Sequence, residues 1–241
     1  MSKNISHLPP ELLGTCFVHL RDLVIGYDQW KTSPSSWLRI VLVCKRWHDI
    51  AVCCPPLWSY IDMLRRSLKM VELLLQRSGA VPLTIKYDNE SFIFSERAYT
   101  HLEVKIITVL HHSHRIQDLE LAMPRPMVDR LVAKYPTTLK LSRLRSLNLI
   151  STPSKVDEIG RSPLPFDFDC PKLDTLILSG FAYDHIVSLF HPRLRFLMVL
   201  LIEYPALDEL LDDIQSMPAL EVLTLWWCEG CELVFDGGGR E

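Results

Sequence analysis

The apolar positions of this chain follow a helical period at first and a strand period later. Leu12, Leu13, Cys16, Phe17 and Leu20 recur at helical spacing. Prolines in a first turn sacrifice no backbone hydrogen bond, and Glu11 suits the positive end of a helix, so this helix is predicted to begin at Pro9 or Pro10. A second helical register passes through Trp37, Ile40, Val41, Cys44, Trp47, Ala51 and Cys54. A linking helix is predicted from Met63 to Arg77, with Leu64, Leu68, Val71, Leu74 and Leu75 on one side and Gly79 as its stop. Val81 to Ile85 alternates like a strand, and Ser95 to His111 reads as a helix with Ala98, Leu102, Ile106 and Leu110 in one stripe. The first helices together bury too little surface to be comfortably stable alone. They nonetheless carry more large apolar side chains than so small a unit can hide, which predicts a docking surface.

Downstream, a shorter pattern recurs: apolar, two residues, apolar, one residue, apolar. Its copies are Ile116-Leu119-Leu121, Leu144-Leu147-Leu149, Leu173-Leu176-Leu178, Leu194-Leu197-Val199 and Leu220-Leu223-Leu225, and successive starts lie 28, 29, 21 and 26 residues apart. That spacing and core resemble leucine-rich repeats, in which a short strand sends alternate side chains into a shared core. The turn positions after each copy are Pro124, Thr152, Phe181, Ile202 and Cys228, of which only Cys228 fits the usual Asn or Cys. The reading is therefore an α+β or α/β solenoid, irregular and degenerate, with an edge strand near Leu233 to Phe235. Its concave face would present Ile150, Ile177, Phe196, Met198, Leu200 and Trp226, an apolar and aromatic band suited to a protein substrate.

The N-terminal residues carry a second resemblance. Leu8-Pro9-Pro10-Glu11-Leu12-Leu13, then Val43-Cys44-Lys45-Arg46-Trp47, then Pro55-Pro56-Leu57-Trp58 resemble the F-box, in the F-box-like form common in fungal proteins. The match spans Leu8 to Trp58, about a fifth of the chain, and the loop from Arg21 to Ser36 is longer than in a compact F-box. The resemblance implies a segment that binds the Skp adaptor of a cullin–RING (SCF-type) ubiquitin ligase while the rest of the chain selects a substrate. The adaptor-facing positions it implies are Leu8, Pro9, Leu12, Leu13, Val43 and Cys44. Trp47 is read as mostly core, with truncation costing about 3–5 kcal/mol. The domain plan is an F-box-like helical domain over residues 1–60, a linking helix over 61–80 and a degenerate leucine-rich repeat domain over 81–241. The alternative is a leucine-rich repeat scaffold whose N-terminal helices only cap the solenoid.

Composition narrows the function classes. The chain has 241 residues, 48% apolar and 23% charged, with a net charge of −3, as expected of a folded globular protein. From Leu201 to Glu241 Arg240 is the sole Lys or Arg against ten acidic residues, which argues against nucleic acid. Met1 to Pro10 lacks an apolar leader segment, and the longest apolar run, Phe196 to Ile202, is far too short to span a membrane. Seven cysteines without such a leader suggest reduced thiols, in a cytoplasmic or nuclear protein. No phosphate-cradling loop, H-E-x-x-H or G-x-S-x-G motif occurs. His111, His112 and His114, the Cys228-x-x-Cys231 pair and the acidic run Asp208, Glu209, Asp212 and Asp213 read as solvated surface or turn positions. The expectation is a non-catalytic adaptor without metal or cofactor.

Overall fold

The computed structural model describes residues 8–27, 36–64, 66–88, 96–135, 138–152, 162–201, 207–227 and 232–236. Two compact units divide the chain, Met1–Leu83 and Thr84–Glu241. No helix among the described residues is long and apolar enough to cross a membrane.

In the first unit, α1 (Pro10–Tyr27) begins at the predicted proline, with Glu11 in its first turn. A 3-10 segment (Ser36–Leu42), α2 (Lys45–Val52), a 3-10 turn (Pro55–Trp58), β1 (Tyr60–Asp62) and α3 (Leu68–Arg77) follow. The core gathers Leu13, Phe17, Trp37, Ile40, Ala51, Leu57, Trp58 and Ile61. Trp58, and not Trp47, is its anchor. The Trp58 ring meets Trp37 edge-on at 5.6 Å between centroids, and its indole N–H donates to the Ala51 carbonyl at 2.8 Å. Trp47 is only half-buried, its ring tilted against Phe17 at 5.1 Å, so its truncation costs less than the sequence suggests. The linking helix also starts later than Met63. Tyr60–Asp62 is extended, the Asp62 carboxylate accepts the Leu64 N–H at 2.9 Å, and Ser67 caps α3 by accepting the Met70 N–H.

The second unit opens with β2 (Leu83–Asp88) and α4 (Glu96–Leu110), then β3 (Ile116–Pro124), α5 (Arg125–Lys134), β4 (Thr138–Lys140) and β5 (Ser146–Thr152). β6 (Asp167–Asp169), β7 (Thr175–Ser179), α6 (Tyr183–Ile186), β8 (Phe196–Leu201), α7 (Leu207–Gln215), β9 (Val222–Trp227) and β10 (Glu232–Asp236) complete it. Its sheet runs β2-β3-β5-β7-β8-β9-β10. The pairs from β3 through β9 are parallel, and β10 closes the edge antiparallel to β9, where an edge strand is predicted. The last two positions of the five apolar triplets lie on five neighbouring strands in register, with Leu119, Leu147, Leu176, Leu197 and Leu223 forming one buried row and Leu121, Leu149, Leu178, Val199 and Leu225 the next. Each strand is tied to the last at its start: Arg145 O accepts from Asp174 and Thr175, Asp174 O from Arg195 and Phe196, and Arg195 O from Glu221 and Val222.

The predicted leucine-rich repeat solenoid is not what these strands build. The second unit is an α/β arrangement, a mostly parallel open sheet with helices, and it shows no solenoid closure. The reason lies in the connections. A solenoid stacks like on like at a constant step, whereas here a ten-residue helix follows β3, a separate two-stranded sheet of β4 and β6 is interposed, a single turn of helix and a 3-10 turn follow β7, and a nine-residue helix follows β8. Unequal intervals in the sequence are unequal connections in space.

One buried charge stabilises the helices of this unit. Glu103 on α4 is buried, and its carboxylate accepts from Lys134 Nζ (2.8 Å), Arg130 Nη2 (3.2 Å) and the Tyr135 hydroxyl (3.2 Å). Burial alone would raise its carboxyl, but the bonds to Lys134 and Arg130 outweigh that and hold it below the ordinary 4.5. Its stabilising contribution is therefore complete above that ordinary value and is lost as pH falls through the lowered one. Glu103→Gln is expected to cost about 1–3 kcal/mol at neutral pH, the cations being partly solvated. The gap between wild type and variant in urea unfolding should close as pH falls below about 4.5; a gap independent of pH would contradict the assignment.

Candidate docking surfaces

At 100° per residue, α1 presents three faces. Leu13, Phe17 and Arg21 point into the first unit and are buried. On one flank, Leu12, Cys16, Leu20 and Leu23 form a stripe that is apolar yet open, with Leu12 54% and Leu23 64% exposed. Leu42 (81%) and Val43 (59%) are likewise exposed where the 3-10 segment meets α2, and Cys44 beside them occupies the N-cap position of α2. Pro9 is exposed and Leu8 half-buried. Of the six positions implied by the resemblance, five are thus on or near the surface. Leu13 is 1% exposed and belongs to the core, because it lies 100° around α1 from Leu12, on the side shared with the buried Phe17.

The other flank of α1 borders a groove of about 710 Å³, floored by Gly14, Val18, Ile50, Pro55 and Pro56, with Glu11, His19 and Asp49 among its lining side chains. Two arginines fix this geometry. Arg21 reaches across to the Pro56 carbonyl and to Ser59 Oγ (3.3 Å) while Asp22 holds its guanidinium at 2.7 Å. Arg46 donates to the Leu8 carbonyl, so the motif's own arginine fastens the segment that precedes α1. Neither role is visible in the sequence, since the partners lie 35 and 38 residues away.

In the second unit the residues between the buried rows form the opposite, more open face of the sheet. Its rows are Asp118, Ser146, Thr175, Phe196 and Val222; Glu120, Asn148, Ile177, Met198 and Thr224; and Ala122, Ile150, Ser179, Leu200 and Trp226. Ile150, Ile177, Phe196 and Met198 are half-buried, while Leu200 (38%) and Trp226 (43%) are exposed neighbours across β8 and β9. The six positions read from the sequence therefore share one face, with its most open apolar pair at the β8–β9 end.

His111 is exposed, and burial followed by the nearby Arg115 lowers the His112 imidazole from its usual range. No three His, Cys, Asp or Glu side chains among the described residues are placed to hold a metal ion. Cys228 and Cys231 lie outside the described residues, as do Ile202 and Gly237 to Gly239. Burial, then Asp169, pushes the Cys170 thiol up to about 11, which makes it inert. Asp208, Glu209 and Asp212 of the acidic run are exposed, whereas Asp213 accepts the Tyr183 hydroxyl.

Compared with known proteins, the chain matches no family model and no curated protein.

Proposed function

We propose that this chain is a substrate-receptor subunit of an SCF-type cullin–RING ubiquitin ligase. Its first unit docks on the Skp adaptor and its second holds a protein target, in the cytoplasm or nucleus. The observation that carries the proposal is the open apolar stripe Leu12, Cys16, Leu20 and Leu23, together with Leu42 and Val43, on the unit that bears the F-box-like motifs. Monomeric proteins seldom expose so many large aliphatic side chains on so small a unit without covering them with a partner. Ubiquitin transfer belongs to other subunits, and this chain contributes proximity, holding its target where the reaction occurs.

Co-expression with a Skp-type adaptor followed by size exclusion tests the proposal. A 1:1 complex is the expected result, and a folded chain that elutes alone beside the adaptor would refute it. Leu12→Asp combined with Val43→Asp should abolish co-elution. Because both residues are exposed, unfolding free energy should stay within about 0.5 kcal/mol per site. A variant that loses adaptor and fold together would place these residues in the chain's own core instead.

A further inference from the structure

We propose that the open face of the second unit's sheet takes an extended basic peptide segment, with one bulky apolar side chain seated on Leu200 and Trp226 and a Lys or Arg held by Asp118 and Asp174. This rests on the reading of the second unit as the part that recognises a target, and it names the chemistry of that target. The apolar end is set by register: Leu200 pairs with Trp226, both are exposed, and Met198 and Ile177 continue the surface inward. Exposed aromatic and aliphatic side chains on a rigid sheet are the kind of anchor that dominates binding energy.

The other end of the face is negative. On the open rows of β2 through β9 the charged residues are Lys86, Asp88, Asp118 and Glu120, three carboxylates against one ammonium. Lys86 is taken by Glu120 at 2.9 Å and by Asp88 at 3.6 Å. Asp118 is left with the Thr84 hydroxyl at 3.0 Å, and its charged neighbours are Asp174, which repels it, and Arg145, which attracts it. Burial, and after it the like charge of Asp174, push the Asp118 carboxyl above its usual range despite Thr84. An arriving cation relieves that repulsion, while a phosphate-bearing or acidic partner adds to it. The two ends also fix a spacing. Asp118 on β3 and Trp226 on β9 are four strand steps apart in the sheet order and lie in rows at opposite ends of the strands. With strands about 4.8 Å apart and about 3.3 Å of rise per residue, the diagonal is about 23 Å, which an extended peptide covers in about seven residues.

The test is selection from a randomised twelve-residue peptide library on the full chain, followed by fluorescence anisotropy of the best binder. Enriched peptides should carry Lys or Arg about seven residues from Leu, Met, Phe or Trp. Binding should weaken at least about tenfold in Leu200→Asp, about threefold or more in Asp118→Asn, and further as salt rises. Leu12→Asp should leave it unchanged. No enrichment, enrichment of acidic peptides, or binding indifferent to both Leu200→Asp and Asp118→Asn would each overturn the inference. Adaptor binding measured on the same preparation separates the two proposals. A chain that selects basic peptides but ignores the adaptor refutes the ligase reading alone, and one that binds adaptor but selects no peptide refutes this inference alone.

Discussion

Gly180→Ala is expected to destabilise the second unit by at least about 3 kcal/mol. Two independent costs add. Gly180 follows β7 with φ of 82°, a left-handed conformation that costs an L-residue about 1–2 kcal/mol. A Cβ at this position would also lie 2.2 Å from the Ser151 carbonyl oxygen, and a strand backbone cannot swing away as a flexible side chain can. The surroundings are tightly determined. The Gly180 carbonyl accepts the Ser162 N–H at 3.2 Å, Ser162 Oγ and Ser151 Oγ share a buried hydrogen bond of 2.6 Å, and Phe181 is fully buried beside them. Relieving the clash therefore means moving β5 or β7. In thermal unfolding this should appear as a fall in Tm of about 6–12 °C. Gly79→Ala is the control, because Gly79 also has positive φ (56°) but a Cβ there meets nothing within 4 Å. It should cost only about 1–2 kcal/mol, and equal effects at the two positions would contradict the packing argument.

Trp58→Ala should cost the first unit about 3–5 kcal/mol. The ring is 1% exposed, contacts Trp37 edge-on and receives the Arg77 guanidinium 4.4 Å from its centroid. Its removal leaves a cavity at the centre of a small core and takes from the Ala51 carbonyl one of two hydrogen bonds, the Cys54 N–H at 3.2 Å remaining. Trp58→Phe keeps most of the packing and loses that hydrogen bond, so about 1–2 kcal/mol is expected. Trp47→Ala should fall well short of Trp58→Ala in urea unfolding. The reverse order would mean that the half-buried Trp47, rather than Trp58, holds the unit together.

What was legible in the sequence follows from which interactions are local. The start of α1 at Pro10 and the stripe of α4 along Leu102, Ile106 and Leu110 are written in short-range spacing, and both are present. The five apolar triplets correctly mark five adjacent strands, because burial on one sheet face imposes a strict alternation. Alternation says which residues face the core and nothing about the path between strands, so the solenoid inferred from it failed. The candidate surfaces divide the same way. Ile177, Met198, Leu200 and Trp226 were readable as one face, whereas separating Leu12 from Leu13 needed the orientation of α1 against Trp37 and Ile40. The exposure of Leu23 and Leu42 has no mark in the sequence, since an apolar side chain carries no local sign of whether it is buried. The tie of Arg46 to Leu8 and the cage around Glu103 join residues 27 to 38 positions apart and leave no local mark.

The most direct test of the central claim is a titration of the purified 241-residue chain with a Skp-type adaptor, read by calorimetry alongside the Leu12→Asp, Val43→Asp double variant. The account predicts saturable 1:1 binding by wild type and a loss of at least about 100-fold in the variant, with circular dichroism unchanged. A folded wild-type chain that shows no heat of binding with the adaptor at micromolar concentration would contradict the account. The exposed stripe on α1 would then need another explanation.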